Sequence, residues 1–264
     1  ALRSSLDITY GDCTLFLGLD IIRKDIEIFI NQKKYIEQSL DKFNLANIDG
    51  SNTPIDPGVD LNVEADKIDT HSFKEMLGTL LYIALGTRPD IAFAVGLVSR
   101  TSSPTILHEK AIKKIFAYLK STIDYQLRYQ KCSSSNFLMK GFCDADYAND
   151  TATRRSTTGF VIQLGGNTIA WKSQRQSIVA LSSTEAEYIA FCELVKVSLP
   201  IKRLLIEVEM LEPFILPIYI DNMSTIRLTK NPASKQRTKH IDVRAHWCVE
   251  QEKNKTIKTH HIPG

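Results

Sequence analysis

The stretch 137-FLMKGFCDADYAND-150 decides the fold: an apolar run stops at an acid, Asp144, and a polar turn follows. Two later segments share that design. In 180-ALSSTEAEYIA-190 an acid sits near the start of a helix, and in 216-LPIYIDNMSTI-226 the strand LPIYI ends on Asp221. Acids at the ends of two strands, with a third on a helix between them, can converge on divalent cations. Cleavage of a phosphodiester by two metal ions needs such a cluster. Carboxylates gathered beside Phe142, Cys143, Tyr219 and Ile220 would repel one another, and their pKa values would rise unless a cation compensated. Mg²⁺ suits such a site, because it takes hard oxygen ligands and binds through few carboxylates plus substrate phosphate. Mn²⁺ is the alternative ion.

Two of the three positions have a competitor. Glu185 and Glu187 lie two residues apart, so on a helix they point roughly 200° apart and only one can face a sheet. Ser182 stands three residues before Glu185, which makes Glu185 the natural capping partner. Glu187 shares a face with Ala190, Phe191 and Leu194, the apolar stripe that packs on a sheet. Glu187 is therefore the preferred ligand. Asp144 directly follows its apolar run whereas Asp146 serves the turn, so Asp144 is preferred there.

The rest of the chain is ordinary globular material. Its 264 residues, 43% hydrophobic and 24% charged, suffice for one large or two small domains. A net charge of +3 is too mild to establish nucleic-acid binding. Five cysteines, odd in number and without a C-x-x-C pair, argue against a disulfide framework or zinc site and fit a reducing, intracellular compartment. His240, His246, His260 and His261 show no zinc-ligand spacing. The most apolar stretch, Met76 to Val98, is cut by Thr87-Arg88-Pro89-Asp90, which predicts two buried helices and no membrane span. No signal peptide is expected.

Along the first half, 14–22 and 25–30 predict a β-hairpin turning at Arg23-Lys24, with Ile26, Ile28 and Ile30 on one face. Asn31 is expected to cap a helix that buries Ile36, Leu40 and Phe43. A long polar connection covers 46–70. Ser72 with Glu75 predicts a capping box, Asp90 starts a further helix, and Pro104 precedes another burying Ile112, Ile115, Phe116 and Leu119. Lys131-Cys132-Ser133-Ser134-Ser135 marks the expected domain boundary, dividing 1–131 from 132–264. Beyond it, strands fit 137–143, 156–164, 167–171, 216–220 and 256–261. Helices are expected from near Thr184, after Asp221 and over 240–252. This order predicts a mixed α/β layout. Arg154, Arg155, Lys172, Arg175, Arg237, Lys239 and Arg244 can track a sugar–phosphate backbone, although any one of them alone is ordinary solvated surface.

Three segments carry a resemblance: ALSSTEAEYIA, RRSTTGFVI with the following TIAWKSQRQ, and RTKHIDVRAHW. They resemble the ribonuclease H domain of copia-type LTR retrotransposon polyproteins. In the first half FLGLDI, NQKKYIEQSLDKFN, LGTLLYIALGTRPDIAFAVGLVSR and HEKAIKKIFAYLKST are similar to the stretch between polymerase palm and ribonuclease. The resemblance covers almost the whole chain. It implies a mostly helical reverse-transcriptase thumb and connection segment with a β-hairpin over 1–131. A ribonuclease H-like α/β fold, a mixed sheet with helices, is implied over 132–264. The family's metal-binding acids match Asp144, Glu187 and Asp221, with Asp144 bridging two metals. The implied reaction is Mg²⁺-dependent hydrolysis of the RNA strand of an RNA–DNA hybrid. The implied partners are that hybrid and the rest of the Pol polyprotein, in a cytoplasmic particle or nucleus. The family's Tyr-x-Asp-Asp palm motif is absent, so no DNA synthesis is expected of these residues alone. The sequence stops at HHIPG, short of the family's Ala-Asp-x-x-Thr-Lys segment, which predicts an incomplete ligand set. Pro200 breaks the helix pattern at a cost of about 3 kcal/mol. It implies two helices in place of one, or a drifting copy. The rival expectation is accordingly a degenerate or host-adopted relic without catalysis.

Overall fold

The structure is a computed structural model describing residues 13–132, 137–230 and 242–263, with backbone alone considered for 242–245. Residues 133–136, within the expected boundary, lie outside the described residues. Two sheets organise the chain. The first has four antiparallel strands in the order β1 (Leu15–Phe16), β2 (Leu19–Lys24), β3 (Glu27–Asn31) and β4 (Leu127–Gln130). The hairpin turns at Asp25-Ile26, since Lys24 faces Glu27, two residues beyond the predicted turn. Its buried apolar side chain among the described residues is Phe29, while Ile26 and Ile28 are exposed. Alternation defines two faces without saying which one the rest of the fold covers.

Helices α1 (Lys33–Lys42), α2 (Thr70–Gly86), α3 (Ala92–Val98) and α4 (Ile106–Ser121) pack around one apolar cluster that includes Ile36, Leu80, Ile83, Val98, Ile112 and Phe116. The expected Asn31 cap is corrected: Gln32 is the N-cap of α1 and makes no side-chain cap bond, while Asn31, the last residue of β3, accepts from the Lys33 N–H at 3.1 Å. The predicted Ser72 cap is corrected: Asp69 caps α2, accepting from the amides of His71 and Ser72. A carboxylate one position before the first turn reaches two free N–H groups, which Ser72, already inside the helix, cannot do.

The second sheet runs β7 (Asn167–Arg175), β6 (Thr157–Leu164), β5 (Met139–Asp146), β8 (Leu216–Ile220) and β9 (Ile257–His261). The β5–β6 and β6–β7 pairs are antiparallel, whereas β5–β8 and β8–β9 are parallel. Two parallel pairs require crossovers. The long helix α5 (Ser183–Glu207) lies in the β7-to-β8 connection, and α6 (Met223–Lys230) with α7 (Asp242–Lys253) in that from β8 to β9. Gly141 lets α5 come close: a Cβ there would stand 2.9 Å from the Leu194 side chain. Strand β5 continues to Asp146, so Asp144 is within the strand, opposite Gly159. The two-helix expectation at Pro200 is also corrected, because α5 runs unbroken through it. Pro200 is exposed, and so is Lys196, whose carbonyl loses its usual donor; water can satisfy that carbonyl on the solvent side. Among the described residues no helix is long and apolar enough to cross a membrane.

Candidate metal centre

Each acid is placed by a different element. Asp144 projects from β5, Glu187 from the first turns of α5, and Asp221 from the corner between β8 and α6. That corner is set by Asn222, whose side-chain oxygen accepts from the Ser224 and Thr225 amides at 2.9 and 3.0 Å. His261 Nε2 lies 3.0 Å from the Asp221 carbonyl. Carboxylate oxygens of Asp144, Glu187 and Asp221 all lie within 4.8 Å of one another. The structure thus brings together the three acids singled out from sequence.

Their environments differ. Asp144 and Asp221 are exposed, whereas Glu187 is 6% exposed. One Glu187 oxygen accepts from the Ala145 N–H at 3.2 Å; the other is buried without a hydrogen-bond partner among the described residues. Burial first, and then the nearby Asp144 charge, pushes the Glu187 carboxyl up to about 8. Cys143 lies buried alongside, its thiol driven up by burial and then by Glu187. A buried, unpaired carboxylate oxygen facing two more acids is favoured in its ionised form only when a cation compensates, and otherwise holds its proton at neutral pH. The donor set is all hard oxygen, which fits Mg²⁺ or a similar divalent cation.

Of the two competing acids, Glu185 behaves as its position suggested, whereas Asp146 does not serve the turn: it ends β5, opposite Thr157. Glu185 turns back to accept from the Leu181 N–H at 2.7 Å, and its own amide donates to Ser182 Oγ at 3.2 Å. It is committed to the helix start. Asp146 lines the same groove as Asp144.

That groove, about 510 Å³, opens beside the acids and is walled by Phe93, Phe142, Trp171, Lys172 and Tyr219. Phe142 stacks on Tyr219 with centroids 5.0 Å apart, and Tyr219 on His260 at 5.4 Å. Lys172 lies in the groove wall, its Nζ 3.7 Å from Glu193. Arg154 is exposed and Arg155 half-buried. Arg175 is committed inward: it pairs at 2.8 Å with Asp150, which also binds Arg100 at 3.2 Å. Arg237 and Lys239 lie outside the described residues, as do His240 and the Arg244 side chain. The bond from Arg100, just after α3, to Thr157 Oγ1 of β6, 2.8 Å, and that from Trp171 Nε1 of β7 to the Ala84 carbonyl of α2, 2.9 Å, tie the first half to the second sheet. Sequence inspection had no signal for these long-range pairs.

No family model matches the chain. It is 37% identical over 259 residues to the retrovirus-related Pol polyprotein from transposon TNT 1-94 of Nicotiana tabacum, covering 94% of this chain and 19% of that one. It is 39% identical over 182 residues to the uncharacterized mitochondrial protein AtMg00810 of Arabidopsis thaliana, covering 68% of this chain and 75% of the relative. Among solved structures, LC11-RNase H1 in complex with an RNA/DNA hybrid superposes with a TM-score of 0.34 at 16% identity, over 47% of this chain and 85% of that one. The strand order, with two antiparallel and two parallel pairs and α5 crossing between them, is that of a ribonuclease H-like fold. The chain belongs to the family of copia-type retrotransposon Pol polyproteins, of which it is a segment of reverse-transcriptase and ribonuclease H type. It spans about a fifth of the length of the tobacco relative, 19%.

Proposed function

We propose that this segment carries the hybrid-specific ribonuclease of its polyprotein, hydrolysing the RNA strand of RNA–DNA hybrids with a divalent metal. The observation that carries the reading is the meeting of three carboxylates within 4.8 Å around the buried, unpaired oxygen of Glu187. Asp144, Glu187 and Asp221 would hold Mg²⁺, or Mn²⁺ in its place. Such ions, when bound, make water a better nucleophile and stabilise the departing oxygen. The protein's own part is placement. The Ala145 N–H orients Glu187, and the exposed Asp144 and Asp221 present charge to the groove. Lys172 on its wall, and Arg154 and Arg155 in the connection between β5 and β6, would meet phosphates of the substrate. Arg237 and Lys239 are assigned the same role, whereas Arg175 has its charge engaged by Asp150. Selection of a hybrid would come from 2′-hydroxyls and backbone shape.

The division into a thumb and connection unit over 1–131 and a ribonuclease unit over 132–264 belongs to the same proposal. So do the remaining Pol segments as partners, and an intracellular particle or nucleus as the working place. The second reading, a non-catalytic relic, draws support from Pro200, which sits inside the unbroken α5 at the loss of one helix hydrogen bond.

The test is cleavage of a hybrid carrying end-labelled RNA, in Mg²⁺, with double-stranded DNA and RNA as controls. RNA in the hybrid should be cut and the controls spared. Absence of any hybrid-dependent cutting, or cutting that persists undiminished in Asp144→Asn and Asp221→Asn, overturns the assignment.

A further inference from the structure

Two buried polar side chains outside the acid cluster grip the first turn of α5 from opposite sides. Gln176, 5% exposed, ends the segment TIAWKSQRQ. Its Nε2 donates to Thr158 Oγ1 at 3.1 Å and to the Ala186 carbonyl at 2.9 Å. Thr158 faces Ala145 across the β5–β6 pair, and the Ala145 N–H donates to Glu187, the residue after Ala186. The circuit closes: β5 to β6, β6 through Gln176 to α5, and α5 through Glu187 back to β5. On the other side Thr225, fully buried, donates from Oγ1 to the Thr184 carbonyl at 3.3 Å. The Thr225 amide donates to Asn222, the neighbour of Asp221.

A helix does not need these bonds. Its unsatisfied groups at this end are N–H donors, while carbonyls of the first turn already accept from residues four positions on. Gln176 also leaves its own Oε1 buried without a partner among the described residues, an arrangement that costs about 1–3 kcal/mol. What the bonds can set is the height and rotation of α5 against β5 and α6, and hence where Glu187 stands relative to the other two acids.

We propose that Gln176 and Thr225 are positioning residues for Glu187, one referenced to β6, the strand paired with the one that bears Asp144, and the other to the corner that bears Asp221. The role rests on the assignment of the three acids as one site. A shell of this kind typically alters metal affinity about ten- to hundredfold when removed.

The test uses the whole chain and two readouts. The first is hydrogen exchange at the Ala145 amide in metal-free protein, which reports the Glu187 bond. The second is Mn²⁺ affinity by electron paramagnetic resonance. Gln176→Ala, and independently Thr225→Val, should each raise exchange at Ala145 and weaken Mn²⁺ binding by about tenfold, while Thr225→Ser stays within about twofold of the parent. Ile162→Val, a trimmed core residue of the same sheet, controls for general loosening. If Gln176→Ala and Thr225→Val resemble that control in both readouts, the positioning role is overturned. Should the parent bind no Mn²⁺, the metal assignment fails, and Ala145 exchange still decides whether the two side chains hold Glu187.

Discussion

Two buried charges, one in each half of the molecule, are handled in opposite ways. Arg88, 1% exposed, is saturated: it pairs with Asp90 at 2.7 Å, donates to the Thr122 carbonyl, and lies over the rings of Tyr118 and Tyr125. Glu187, 6% exposed, has one amide partner, one orphan oxygen and two acids for neighbours. The first arrangement is complete without anything added, and it serves the fold. The second is stable only if a cation or proton arrives, which is the signature of a site. Asp150 belongs with Arg88: burial alone would raise its carboxyl, but Arg175 and Thr153 more than offset this and hold it well below the usual range.

The contrast can be broken in several places. The largest effect is expected at the site's chemistry. Asp144→Asn or Asp221→Asn should bring hybrid cleavage below detection while the melting temperature stays at the parent's value; a coupled loss of folding would make these acids structural. Next comes Arg88→Ala. Leaving Asp90 without its buried partner should cost about 3–5 kcal/mol in urea denaturation, with Mn²⁺ affinity unchanged.

A smaller effect separates the two buried carboxylates by pH. Asp150 has a depressed folded pKa, so its stabilisation is present above the unfolded value and is lost as acid is added. The parent should weaken below about pH 4, and Asp150→Asn should flatten that limb. Glu187 has the reverse sign. Its folded pKa, about 8, lies above the unfolded value, so metal-free protein loses stability as pH rises from about 4.5 towards 8. The smallest change follows: Glu187→Gln should stabilise metal-free protein by about 1 kcal/mol at neutral pH and abolish that slope. Destabilisation of comparable size would place Glu187 with Arg88 instead.

Much of this was visible before any coordinates. The strand Leu216–Ile220 has the bounds expected from its apolar run, and the choice of Glu187 over Glu185 followed from which helix face carries Ala190, Phe191 and Leu194. What escaped was set by distant parts of the chain. Strand β4 is four residues of mixed character, and its place in the sheet comes from pairing with β3, about a hundred residues earlier. Phe29, not Ile28, faces inward because of what covers the sheet. Arg175 looks like a phosphate ligand until Asp150 is seen beside it. Gln176 carries no local pattern, and its importance appears only once Thr158 and Ala186 flank it.

The most direct measurement is anomalous diffraction from crystals of the chain soaked in Mn²⁺. The account predicts a peak bridging carboxylate oxygens of Asp144, Glu187 and Asp221, absent in Asp144→Asn. Density that settles elsewhere, or none at saturating ion, would mean that the three acids are not a metal centre.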